Sequence, residues 1–132
     1  MNLDDAIKIA KSARNNAYAP YSNYFVGAAL VTKSGKIYSG CNIENGGIMS
    51  LCAERVAFVK AISEGEKDFD YIVVCGGPNL TTLVDNCTPC GYCRQFMSEF
   101  VDKDFGIYLL TDNDEAEKYS MEDLLPHSFK LD

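Results

Sequence analysis

Apolar residues recur at Leu3, Ile7 and Ala10, with Lys8, Lys11 and Arg14 between them, and this spacing predicts an amphipathic helix over residues 3–18. Ala19-Pro20-Tyr21-Ser22 ends it, because proline breaks the helical hydrogen-bond ladder. The pattern then changes. Residues 25–32 form an almost unbroken apolar run that reads as a buried strand, Ser34-Gly35 as a turn, and residues 36–42 as a second strand, giving a hairpin. Asn45-Gly46-Gly47 is a loop that permits close backbone approach. Residues 52–63 predict a helix that buries Leu51, Val56, Val59 and Ile62 and stops at Gly65. The run Tyr71 to Cys75 has the continuous hydrophobicity of an interior strand covered on both faces. Residues 76–89 read as a long loop, 91–100 as a helix, 107–111 as a strand and 121–125 as a short last helix. The order α-β-β-α-β-α-β-α implies an α/β fold, a mixed sheet with helices on both faces. With no repeat or linker in its 132 residues, the chain is expected to be one domain over 1–132.

Composition narrows what such a domain does. The net charge is −7, which disfavours a phosphate backbone as partner and favours a small, neutral or weakly charged substrate over nucleic acid. No apolar run approaches the ~20 residues that span a bilayer, so no membrane association is expected. The first residues have no signal-peptide core, so a cytoplasmic location is expected. In that setting six cysteines point to metal binding or reactivity rather than to a disulfide framework.

The chemistry sits in two segments, Cys52-Ala53-Glu54-Arg55 and Pro89-Cys90-Gly91-Tyr92-Cys93, each opening a predicted helix. Unpaired first-turn N–H groups and the helix dipole favour thiolate there. Cys90 and Cys93 lie one turn apart and present both sulfurs on one side. If the two helix starts meet, Cys52, Cys90 and Cys93 supply three ligands and leave one position open, the pattern of a catalytic zinc. Glu54 beside the metal takes a proton from the attacking water and returns protons to a ring nitrogen and to departing ammonia. Arg55 is expected to hydrogen-bond the ligand sulfurs and offset their charge. A ligand-x-Glu followed by Pro-Cys-x-x-Cys is the zinc-deaminase signature in its three-cysteine form.

Other readings of the same residues stand beside this one. Cys87, Cys90 and Cys93 form C-x-x-C-x-x-C, part of an iron–sulfur run whose fourth cysteine is missing nearby. A structural four-cysteine zinc that includes Cys87 is a second alternative, and a zinc-stabilised binding module a third, although the last leaves Glu54 unexplained. Cys41 and Cys75 read as packing residues, and His127, the single histidine, as exposed. Asn42 and Glu44 lie two apart at a strand end and point the same way, so an amide and a carboxylate face one sugar hydroxyl, or simply face solvent. Ile48, Met49 and Leu51 would be costly to expose and suggest a subunit contact.

From Pro20-Tyr21-Ser22 and Val26-Gly27-Ala28-Ala29-Leu30, through Gly40-Cys41-Asn42-Ile43-Glu44-Asn45 and the two cysteine segments, to Glu122-Asp123-Leu124-Leu125-Pro126, the chain resembles the small homotetrameric cytidine deaminases. The resemblance implies a three-layer α/β/α sandwich with a five-stranded mixed sheet, and one zinc ion per subunit. It implies hydrolysis of cytidine and 2′-deoxycytidine to the uridines, as in pyrimidine salvage, in a homotetramer with sites at subunit interfaces. It also implies that Asn42 and Glu44 hold the ribose 3′-hydroxyl, Tyr24 packs on the pyrimidine, the Ala53 backbone contacts the base, and Phe129 reaches a neighbouring subunit's site. Two departures bear on substrate. Tyr24-Phe25 replaces the family's Phe-Pro, and the segment Gly46 to Leu51 is one residue shorter and lacks the usual alanine and tyrosine. A sibling acting on a modified cytosine nucleoside such as blasticidin S is therefore the alternative activity.

Overall fold

The computed structural model describes residues 2–46, 49–85, 87–113 and 115–129. A hairpin of β1 (Phe25–Thr32) and β2 (Ile37–Cys41) follows helix α1 (Leu3–Ala13) and a 3₁₀ turn, Arg14–Asn16. Helix α2 (Ala53–Ser63) leads to β3 (Phe69–Gly77), and α3 (Gly91–Ser98) to β4 (Gly106–Leu110), β5 (Ala116–Ser120) and α4 (Met121–Leu124). The strands form one sheet in the order β2-β1-β3-β4-β5. β3 and β4 run parallel, as the intervening helix α3 requires, and the other pairs are antiparallel.

The alternation of each strand divides the core in two. Ala28, Leu30, Ile72, Val74, Ile107 and Leu109 face Ala53, Ala57 and Phe58 of α2. Ala29, Val31, Val73, Cys75 and Leu110 face Ala6 and Ala10 of α1 on the other side. Both faces of β1, β3 and β4 are thus covered, which is why they read as continuous apolar runs. The expected mixed five-stranded α/β/α arrangement is present.

Several local expectations change. The first helix ends at Ala13 rather than near residue 18. Asn15 and Asn16 compete for local turns, and the buried Arg14 donates its Nε–H to the Phe25 carbonyl at 3.0 Å, drawing the chain toward the sheet. The residue pattern did not reveal β5. Its sequence, Ala-Glu-Lys-Tyr-Ser, is charged because it is an edge strand, paired with β4 alone. The third strand extends beyond the expected 71–75 at both ends, and α3 stops two residues early.

The buried face of α2 is also different. Leu51 and Val59 are exposed, and Val56 and Ile62 are half-buried. Ala53, Ala57 and Ala61, at i, i+4 and i+8, pack inward with Phe58. The helix lies so close to β2 that only small residues fit. A Cβ built on Gly40 would stand 2.2 Å from the Ala53 carbonyl oxygen and 2.7 Å from the Ala57 nitrogen. Gly40 therefore sets the height of the α2 N-terminus, which carries Cys52 and Glu54. Gly40→Ala is expected to cost about 3 kcal/mol by overpacking and to lower Tm by about 10 °C. An unchanged melting curve would contradict this close approach.

Candidate active site

The two cysteine segments meet at adjacent helix starts. Cys52 is the N-cap residue of α2 and Cys90 that of α3. Cys90 Sγ accepts the Cys93 N–H at 3.4 Å, so one thiol already serves as a helix cap. Rings of Phe58 in α2 and Phe96 in α3, 6.5 Å apart, brace the helices behind the cysteines, and Phe69, Phe100 and Phe105 complete the cluster. Such aromatic pairs contribute about 0.5–1.5 kcal/mol each beyond area burial. The brace fixes the separation on which the sulfur geometry depends.

The sulfurs of Cys52, Cys90 and Cys93 lie within 4.8 Å of one another, and those of Cys52 and Cys90 are 3.5 Å apart. A tetrahedral zinc with Zn–S bonds of about 2.3 Å needs sulfurs about 3.8 Å apart, so this donor set fits zinc. Among the described residues this is the cluster that could hold a metal ion, and Cys87 is outside it. The Cys87 sulfur instead packs with the Tyr24 ring against Gly76, where a Cβ would stand 2.8 Å from Cys87 Sγ and 3.1 Å from Tyr24 Cε2. Burial, then the charge of Glu54, pushes the Cys87 thiol up to about 11. Three cysteines thus form the cluster.

Cys52 and Cys93 act on each other. The hydrogen bond from Cys93 is the largest influence holding Cys52 below the ordinary thiol range, aided by Cys90 and Arg55 against burial. The same bond, then burial, pushes Cys93 up. Two residues from Cys52, Glu54 is 3% exposed. Burial, then the negative charge of Cys52, pushes its carboxyl up to about 7, against its backbone hydrogen bond and Arg55. A carboxyl can take a proton when ionised and give one when protonated.

Arg55 lies close enough to Cys93 and Cys52 to feel their charge. Burial lowers its pKa, but hydrogen bonds and charge from Cys93 and then Cys52 outweigh this and leave it raised. Its Nη2 also donates to the Ser50 carbonyl at 2.7 Å.

A cavity of about 340 Å³ opens beside the cluster. It brings together five of the residues expected to act there, Tyr24, Asn42, Glu44, Ala53 and Glu54, with Cys52 and Cys90. Asn42 is more engaged than a free sugar ligand would be: its Oδ1 accepts the Val26 N–H at 2.9 Å and its Nδ2 donates to the Tyr24 carbonyl at 2.8 Å. It therefore anchors the entry to β1, with a further contact to Glu44.

Glu44 accepts the backbone N–H groups of Tyr21 and Ser22 at 3.0 and 3.1 Å, and the Ser22 hydroxyl. These bonds, the hydroxyl first, hold its carboxyl below the usual range. Ser22 lines the cavity too, a role the sequence reading missed. The Pro20 turn before it was the available signal. Burial, then Cys87, pushes the Tyr24 hydroxyl up to about 12, so it stays neutral. Phe129 lies outside this chain's cavity, exposed, its carbonyl held by Gln95 Nε2 at 2.8 Å. Met49 and Leu51 are exposed. Gly47 and Ile48, which belong to the shortened segment, lie outside the described residues.

Comparison with known proteins agrees with this geometry. The cytidine deaminase of Sporosarcina psychrophila is 41% identical, over 98% of this chain and 92% of that protein. A crystal structure of cytidine deaminase from Burkholderia pseudomallei superposes with a TM-score of 0.86 at 39% identity, covering 98% of this chain and 100% of that one. A blasticidin-S deaminase from Bacillus cereus is 36% identical over 80% of this chain and 76% of its own length. Residues 1–109 match the family described as the cytidine and deoxycytidylate deaminase zinc-binding region. The chain thus belongs to the zinc-binding cytidine and deoxycytidylate deaminase family.

Proposed function

We propose that the chain is a free-nucleoside aminohydrolase that converts cytidine and 2′-deoxycytidine to uridine and 2′-deoxyuridine with release of ammonia. The observation that carries this reading is the buried Glu54 carboxyl at the mouth of a three-sulfur cluster, in one cavity with Asn42 and Glu44. Cys52, Cys90 and Cys93 would hold one zinc. When bound, zinc supplies the acidity that makes water nucleophilic at neutral pH. Glu54 accepts a proton from the attacking water and passes it to the pyrimidine ring nitrogen, then takes the proton of the hydroxyl now on the ring carbon and delivers it to the departing amine as the carbonyl forms. Water and the amino group are exchanged for carbonyl oxygen and ammonia, and the carboxylate is regenerated.

The other residues position the nucleoside. The Ala53 backbone meets the base, the Tyr24 ring packs on it, and Glu44 with the remaining capacity of Asn42 binds a sugar hydroxyl. Glu44→Gln keeps the shape but removes the charge from that contact. It is expected to raise KM for cytidine about tenfold with a smaller change in kcat, and an unaltered KM would remove Glu44 from the sugar site.

A second reading, deamination of a modified cytosine nucleoside, is favoured by the Tyr24 hydroxyl in the cavity and by the similarity to a blasticidin-S deaminase. Ultraviolet assays with cytidine, 2′-deoxycytidine and blasticidin S separate the two. Higher kcat/KM on blasticidin S than on both nucleosides would replace the first reading with the second.

We also propose that the catalytic unit spans the whole chain and assembles as a homotetramer in the cytoplasm, with Phe129 completing a neighbouring site. Exposed Met49 and Leu51 just before α2, exposed Val59 within it, and exposed Phe129 support this arrangement. A sedimentation mass of one chain would refute the assembly. No helix among the described residues is long and apolar enough to cross a membrane.

A further inference from the structure

Tyr92 lies between the two cysteines of α3, yet it is neither a ligand nor a core residue. It is 70% exposed, and a side chain so placed has little packing to hold it. Its ring nevertheless lies under the Arg55 guanidinium, whose Cζ is 4.5 Å from the ring centroid. This is cation–π range.

Arg55 has three demands on it at once. It donates to the Ser50 carbonyl at 2.7 Å, in the segment that lines the cavity. Its guanidinium reaches the Cys93 and Cys52 sulfurs. Its Nε is buried with no hydrogen-bond partner. Two helix N-termini also converge here, and their dipoles disfavour a cation. Contact with the sulfurs and with the electron-rich ring face compensates. Tyr92, Arg55 and Ser50 thus join α3, α2 and the cavity rim through one guanidinium.

We propose that Tyr92 is a positioning residue, which by stacking on Arg55 keeps the guanidinium against the Cys52 and Cys93 sulfurs and so strengthens zinc retention. The inference rests on the reading of Arg55 as the partner of the ligand sulfurs. Three thiolates around one dication leave a net negative charge, and a nearby cation held in place offsets it. The ring face, not the hydroxyl, does the holding.

Zinc affinity measured by competition with a coloured chelator tests this without any turnover. Tyr92→Ala is expected to weaken zinc binding about three- to fivefold, and Tyr92→Phe to match the parent protein. Arg55→Ala is expected to weaken binding about tenfold or more, and adding Tyr92→Ala to it should change nothing further. Because Tyr92 is largely exposed, Tyr92→Ala and Tyr92→Phe should keep the parent Tm. Parent-like affinity in Tyr92→Ala, or an equal further loss when it is added to Arg55→Ala, would overturn the proposal. Parent-like affinity in Arg55→Ala would overturn it as well. Continued deamination of cytidine by that variant would then leave the deaminase reading intact, so the two failures are distinguishable.

Discussion

Glu54→Gln is expected to lower kcat on cytidine by about 10²–10⁴-fold while zinc stays bound at one ion per chain. The amide has nearly the volume of the carboxyl, so the packing around this buried position is preserved. What disappears is the ability to carry a proton. The Glu54 carboxyl, buried beside Cys52, can act first as base and then as acid. A neutral amide does neither. Full activity in Glu54→Gln would end the proton-transfer role. Loss of zinc along with activity would show instead that the residue sustains the metal centre.

The second large effect concerns the ligands. Cys52→Ala, Cys90→Ala and Cys93→Ala are each expected to drop zinc content from one ion per chain to near zero and to abolish turnover. Two thiolates and water do not replace a three-thiolate set. Cys90→Ala also removes the sulfur that caps α3, at about 1 kcal/mol. Cys87→Ala is the informative control. Its sulfur packs beside Tyr24 and Gly76, outside the cluster, so zinc content should stay at one ion. Elemental analysis of the four purified variants decides the matter. Metal loss in Cys87→Ala as severe as in the others would mean a closed four-cysteine site with no open position for chemistry.

The extent to which the sequence revealed these features follows from how local the signals are. β1 and the chemistry-bearing helix starts were readable because their cause is local: an apolar run, and cysteines at fixed spacing beside a proline. The convergence of Cys52 with Cys90 depends on Gly40, Ala53 and the Phe58–Phe96 contact, which are tertiary facts. The inward face of α2 was misread for the same reason. Size, not hydrophobicity, decides which residues face the sheet when the helix lies this close, so alanines displaced Val56 and Val59. β5 was invisible because an edge strand carries charge. Asn42 and Glu44 were legible as a pair, but their bonds to Tyr24, Val26 and Ser22 come from residues about twenty positions away. No spacing rule reports such partners. Tyr92 gains the Arg55 guanidinium as partner only because α2 and α3 lie side by side.

The most direct test of the account is a zinc titration of metal-free protein, following ammonia release from cytidine. Turnover should rise linearly and saturate at one zinc per chain, with uridine formed in equal amount to ammonia. Turnover that does not depend on zinc, or a protein that binds one zinc per chain and releases no ammonia from cytidine, would contradict it.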